Sequence, residues 1–148
     1  MTESNHFDPS QASAANLAYM GDCVYELYVR EYLVRRNTSR PSVESLKYVT
    51  APVQSRVLER ILPLLTEEED AQFRRGRNLG HSSIPKAASP GEYRRATGLE
   101  ALFGWLYLSG RNERIRELFD AAFAAEEVRE APAETDPEAP AAETRTEE

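Results

Sequence analysis

Two acidic residues stand where negative charge is hard to place. Asp22 lies in Leu17-Ala18-Tyr19-Met20-Gly21-Asp22-Cys23-Val24-Tyr25-Glu26-Leu27, and Glu100 in Thr97-Gly98-Leu99-Glu100-Ala101-Leu102-Phe103-Gly104. Each carboxylate sits among small residues and beside an apolar stripe, surroundings that penalise an isolated charge. On a helix, Asp22 shares a face with Ala18 and Glu26, and Glu100 with Ala96 and Gly104. Small side chains one turn away let two helices approach closely enough for the two carboxylates to share a ligand. A hard divalent cation such as Mg²⁺ takes one or two carboxylates and fills its other positions with water or phosphate oxygens. Spacing alone also leaves a plainer reading open, in which each acid is solvated or salt-bridged. Glu26, one turn before Arg30, fits that plainer reading as an intrahelical pair.

The elements that must carry these acids read as helices, and no stretch alternates as a strand would. Apolar Leu17, Met20, Val24, Leu27 and Tyr28 predict an amphipathic helix over about 13–34. A short helix is expected around 42–49, after the break at Asn37-Thr38-Ser39-Arg40-Pro41. Thr50-Ala51-Pro52 reads as an N-cap with an early proline, opening a helix through Val57, Leu58, Ile61 and Leu62 that ends near Pro63. Thr66-Glu67-Glu68-Glu69 is a capping box, which explains that acid run better than a metal site does. The helix it opens ends near Gly76–Gly80, and Asn78–Ala88 reads as a loop. Ser89-Pro90-Gly91-Glu92 is a second capping box, opening a long helix to about Leu108. Gly110-Arg111-Asn112 then turns the chain into a last helix with Ile115, Leu118, Phe119 and Phe123. The expected fold is all-α, one domain of about six or seven helices over 13–130. Residues 1–12 are expected to be loosely ordered, and 131–148 to be a disordered acidic tail of Ala, Pro, Glu and Thr.

At 148 residues the chain can bury a core without disulfides, and its single cysteine, Cys23, rules out an internal disulfide or a cysteine zinc cage. Beside Asp22, Cys23 reads as a small packing residue. No stretch approaches the roughly 18 apolar residues of a membrane span, and the polar N-terminus lacks a secretory h-region, so a cytoplasmic protein is expected. The net charge of −7 argues against nucleic acid until its distribution is considered. Residues 131–148 carry six acids against Arg145, leaving only −2 on the first 130 residues. Between Gln72 and Arg95 stand six bases against the single acid Glu92. That local patch, not the global charge, governs binding to a polyanion.

The Ala18–Glu26 segment resembles the signature helix of the ribonuclease III superfamily, and Glu100-Ala101-Leu102-Phe103-Gly104 resembles its second acidic motif. The likeness is greatest to the short Mini-ribonuclease III branch, which lacks a double-stranded-RNA-binding domain. Arg74-Arg75-Gly76-Arg77-Asn78 and Tyr93-Arg94 add to the resemblance, which covers about Asn16 to Phe123. It implies a Mg²⁺-dependent endoribonuclease (Mn²⁺ substituting) that cuts double-stranded RNA, in bacteria the 23S ribosomal RNA precursor, free or bound to ribosomal protein. Asp22 and Glu100 match the two essential carboxylates. The fuller four-acid site has further acids where this chain has Ala18 and Thr97, a departure shared with the Mini form. Asp22 and Glu100 would hold the ion, and the resemblance implies in-line attack on the phosphodiester by the water it would activate, leaving 5′-phosphate and 3′-hydroxyl ends.

Double-stranded RNA is gripped through phosphates and 2′-hydroxyls. Arg74, Arg75, Arg77, Asn78, His81, Ser82, Ser83 and Lys86 suit that grip, and Tyr93 and Arg94 either contact RNA or orient the site. His6 has no assigned role. Cutting both strands calls for two sites about a two-fold axis, so a homodimer is expected, with Tyr19, Met20, Leu27 and the Leu99–Leu106 stripe as candidate interface. Trp105, Phe103 and Leu106 are core or dimer surface. No membrane or small-molecule substrate is expected. The competing reading is a non-catalytic RNA-binding or ribosome-associated helical protein that docks through the basic loop.

Overall fold

The structure is a computed structural model and describes residues 6–80 and 88–130, with side chains as far as 127. Among these residues there are six α-helices, three short 3₁₀ turns and no strand, in agreement with the all-α expectation. The helices are α1 (Ala14–Arg35), α2 (Pro41–Glu44), α3 (Ala51–Ile61), α4 (Glu67–Arg77), α5 (Pro90–Leu108) and α6 (Asn112–Glu130). The 3₁₀ turns are Pro9–Gln11, Ser45–Lys47 and Leu62–Leu64. The single short helix expected around 42–49 is thus α2 followed by a 3₁₀ turn.

Helix α5 is the centre. From Ala96 to Leu106 every residue is buried except Glu100. A helix apolar all round must be surrounded, and α1, α3, α4 and α6 all pack on this one. This corrects the assignment of Leu99–Leu106 to a dimer surface: Leu99, Leu102, Phe103, Trp105 and Leu106 are sequestered in the protein's own core. An aromatic cluster from α1 and α6 extends that core, with Phe119 and Phe123 stacked at 4.0 Å and the Tyr25 hydroxyl donating to the Tyr48 carbonyl at 2.6 Å. Aromatic side chains of this kind supply large buried area with defined geometry.

Four glycines set how closely the helices meet. A Cβ at Gly21 of α1 would lie 1.5 Å from the Glu100 carbonyl oxygen, and one at Gly104 of α5 would lie 1.9 Å from the Leu17 carbonyl oxygen. The α1 and α5 backbones are therefore in direct contact, at the acids themselves through Gly21 and Glu100 and about one turn away through Leu17 and Gly104. On the other side of α5, a Cβ at Gly98 would strike the Phe73 ring at 2.5 Å, and one at Gly76 would meet the Ala101 Cβ at 2.6 Å. Any larger residue at these positions would push α1 or α4 outwards.

Both expected capping boxes form. Thr66 Oγ1 accepts from the Glu69 amide at 3.2 Å while Glu69 Oε1 accepts from the Thr66 amide at 2.9 Å, and Ser89 and Glu92 repeat the exchange. Glu69, only 2 % exposed, also accepts from Arg114 of α6 at 2.8 Å, so one carboxylate caps α4 and ties it to α6. Glu126 of α6, 1 % exposed, takes Arg56 and Arg60 of α3 at 3.1 and 2.8 Å. Burial works against the Glu126 charge, but the two guanidinium groups outweigh it and hold the carboxyl below its ordinary value. These buried acids belong to the scaffold.

Part of the N-terminal segment is held against the domain. Asp8 caps the Pro9–Gln11 turn through the Ser10 amide, the Trp105 indole donates to Ser10 Oγ at 3.2 Å, and Arg75 donates to the Ala12 carbonyl at 2.6 Å. Ser10 and Ala12 are thus tied to the domain by Trp105 and Arg75, contacts that composition does not reveal. Cys23, expected as a packing residue, is exposed, because α1 turns its Gly21 and Val24 inwards and Cys23 outwards. The tail at 131–148 lies outside the described residues.

Candidate active site

The close crossing of α1 and α5 brings Asp22 and Glu100 together, with their carboxyl groups in hydrogen-bond contact. Asp22 is exposed and Glu100 half-buried. Burial first, then the negative charge of Asp22 and the hydrogen bond shared with it, push the Glu100 carboxyl up to about 8. Among the described residues no cationic side chain is paired with either acid, and no third His, Cys, Asp or Glu completes a cluster. Two carboxyl groups held together with no cationic partner, one keeping its proton until an ion displaces it, make a place for a cation.

The positions that carry extra acids in the fuller pattern are accounted for locally. Ala18 is packed in the core, and the buried Thr97 hydroxyl donates back to the Tyr93 carbonyl at 2.9 Å. Glu26 pairs with Arg30 at 2.9 Å, as expected, and lines a separate cleft with Pro41 and Leu46. The acidic pair is therefore a pair.

A cleft of about 450 Å³ opens over the two acids. Thr50, Pro52 and Gln54, from the start of α3, form one wall, and Tyr93 and Ala96 of α5 another. Thr50 and Gln54 were not anticipated. A signal for Gln54 is present in the chain: it shares the buried face of α3 with Val57, Leu58 and Ile61, where an apolar residue would be expected.

The basic residues divide. Arg77, Asn78 and Arg94 line a second cleft of about 310 Å³, where the end of α4 meets the start of α5. Arg77 stacks over the Phe73 ring at 5.5 Å and donates to Asn78 Oδ1 at 3.1 Å, which orients both side chains. Tyr93 and Arg94 are consecutive on α5, the first lining the acidic cleft and the second the basic one. Arg74 is exposed and pairs with Asp70 at 2.8 Å, a surface bridge weak enough to exchange for another anion. Arg75 is engaged within the chain: its guanidinium donates to the Ala12 and Ser10 carbonyls and to Gln72 Oε1, and so holds the N-terminal turn against α4. His81, Ser82, Ser83 and Lys86 lie outside the described residues.

Residues 15–111 match the family model described as the Ribonuclease III domain. The chain is 43 % identical over 118 residues to a Mini-ribonuclease 3 of Symbiobacterium thermophilum, covering 78 % of this chain and 91 % of that one. It is 39 % identical over 118 residues to a Mini-ribonuclease 3 of Enterococcus faecalis, covering 76 % and 89 %. The crystal structure of a Fusobacterium nucleatum protein superposes with a TM-score of 0.74 at 27 % identity, covering 83 % of this chain and 98 % of that one.

Proposed function

Because the chain belongs to the Mini-ribonuclease 3 branch of the ribonuclease III family, an endoribonuclease of double-stranded RNA, we propose that Asp22 and Glu100 are its catalytic pair and hold Mg²⁺. The observation that carries this reading is the uncompensated contact between the two carboxylates at the floor of an open cleft. Hard oxygen donors in that number suit Mg²⁺, with Mn²⁺ able to replace it, and water and phosphate oxygens complete the shell. When bound, the ion neutralises charge on the phosphodiester and lowers the pKa of water.

The chain's own residues do the rest. Glu100 must give up its proton before the pair can serve as a ligand, and Asp22, the more exposed of the two, would hold the ion where the phosphodiester enters. Arg77, Asn78 and Arg94 hold neighbouring phosphates from the adjoining cleft, with Arg74 at its margin. His81, Ser82, Ser83 and Lys86 extend this grip in our reading, and Tyr93 stands between the two clefts. The products are 5′-phosphate and 3′-hydroxyl ends. The substrate we propose is the 23S ribosomal RNA precursor, alone or carrying ribosomal protein, in the cytoplasm; the family resemblance supports this.

We further propose a homodimer. Cutting both strands of a duplex calls for two sites related by a two-fold axis. The exposed apolar face of α1 supports it: Tyr19 is 84 % and Leu27 57 % exposed, and Val34 and Leu46 continue the stripe.

The test is to incubate the protein with a 23S precursor transcript, an unrelated duplex and a single strand, with Mg²⁺ or with chelator, and to map the ends. Cutting confined to duplex segments, dependent on the ion and leaving 5′-phosphates, is expected. Equal cutting of single strands, or cutting in chelator, would contradict the reading.

A further inference from the structure

Among the described residues, Gln54 is the one buried polar side chain in the wall of the acidic cleft. It is 3 % exposed, on the face of α3 that otherwise buries Val57, Leu58 and Ile61. Its backbone amide completes the first turn by donating to the Thr50 carbonyl, but its carboxamide makes no hydrogen bond with any other described residue. Buried polar groups are almost always paired, and an unpaired carboxamide costs the fold stability. An apolar residue would serve helix α3 better here. Gln54 borders the same cleft as Asp22 and Glu100, so the missing partner is a group that enters that cleft.

The chemistry of a carboxamide narrows what that group is. It presents two N–H donors and a carbonyl acceptor side by side. Phosphate oxygens satisfy only the donors, and a cation only the acceptor, which the two carboxylates already outmatch. A sugar hydroxyl both donates and accepts. In a nucleic acid held over Asp22 and Glu100, that hydroxyl is the ribose 2′-OH, the group that separates RNA from DNA. We propose that Gln54 reads the 2′-hydroxyl of a nucleotide beside the scissile phosphate and so contributes to selection of RNA over DNA. This rests on the reading that the cleft receives the strand to be cut.

The experiment compares the wild-type protein with Gln54→Met, which keeps the length of the side chain and removes its polar atoms. Single-turnover cleavage is measured on an all-ribose duplex and on a series with one 2′-deoxy substitution at each position flanking the cut. The wild type is expected to lose about tenfold at one position. Gln54→Met is expected to lose about as much on the all-ribose duplex and to be indifferent to the deoxy substitution at that position. Losses that multiply independently at every position, or unchanged cleavage by Gln54→Met, would overturn the proposal. Thermal unfolding of the free proteins is a second reading: Gln54→Met should melt no lower than wild type, whereas a marked fall would make Gln54 a structural residue and overturn the proposal. Failure of the wild type to cut the all-ribose duplex would instead remove the nuclease reading on which this one stands.

Discussion

Glu100 is the one residue that central helix α5 leaves incompletely buried within its core-facing span, and α1 sets Asp22 against it. Its carboxyl, raised from the ordinary 4.5 to about 8, stays protonated in the folded, ion-free chain but ionises on unfolding across that window. The contribution to stability is therefore complete below about 4.5 and is lost as pH rises through about 8. Cation binding needs the ionised form, so Mg²⁺ affinity should climb over the same range, and uptake at pH 7 should release close to one proton. Titration calorimetry in buffers of different ionisation heat measures this, and uptake without proton release would contradict it. Asp22 and Glu100 were legible in the sequence because acids among small residues are out of place there. Arg75 was not: in Arg74-Arg75-Gly76-Arg77 the arginines look alike, and only the docking of Ala12 and Ser10, over sixty positions away, singles one out. Gln54 leaves a signal in the chain, a polar residue on the apolar face of α3, but its place opposite the two acids comes only from the packing of α3 on α5.

At the scale of elements, the chain writes its helix ends plainly. Local capping needs only residues three apart, so Thr66–Glu69 and Ser89–Glu92 placed the starts of α4 and α5 correctly. Partner helices are a different matter, since Leu99–Leu106 has the same apolar character whether covered by α1 and α4 or by another subunit. The glycines decide the case, because only contact between backbones requires them at 21 and 104. Gly21→Ala should therefore destabilise the domain by about 1–3 kcal/mol, the usual cost of overpacking. It should also slow cleavage by at least about 100-fold, because a shift of about 1 Å in a reacting group costs that much. Urea denaturation and single-turnover rates check the two effects, and an unchanged midpoint would show that α1 and α5 tolerate separation.

For the whole molecule, the core is satisfied within one chain, while the outer face of α1 is not. Tyr19, Leu27 and Val34 remain exposed on it, beside Leu46. Tyr19→Glu places a charge in that stripe and is expected to convert a dimer to a monomer with the helical content retained, as read by light scattering and circular dichroism. A dimer that survives both Tyr19→Glu and Leu27→Glu would place the interface elsewhere. The anionic total of the chain obscured its partner, because the six acids of residues 131–148 outweigh a basic cleft that only the folded chain assembles from Arg77, Asn78 and Arg94.

We propose the pair of carboxylates at the glycine-lined crossing of α1 and α5 as the cutting centre. Its most direct measurement is the cleavage rate of a duplex RNA in saturating Mg²⁺ for the wild type, Asp22→Asn and Glu100→Gln, each verified as folded by its thermal transition. Both variants should fall by at least about 100-fold, with Glu100→Gln melting no lower than wild type because an amide is uncharged at every pH in a site that burial makes costly for a carboxylate. Cleavage by either variant at the wild-type rate would contradict the account.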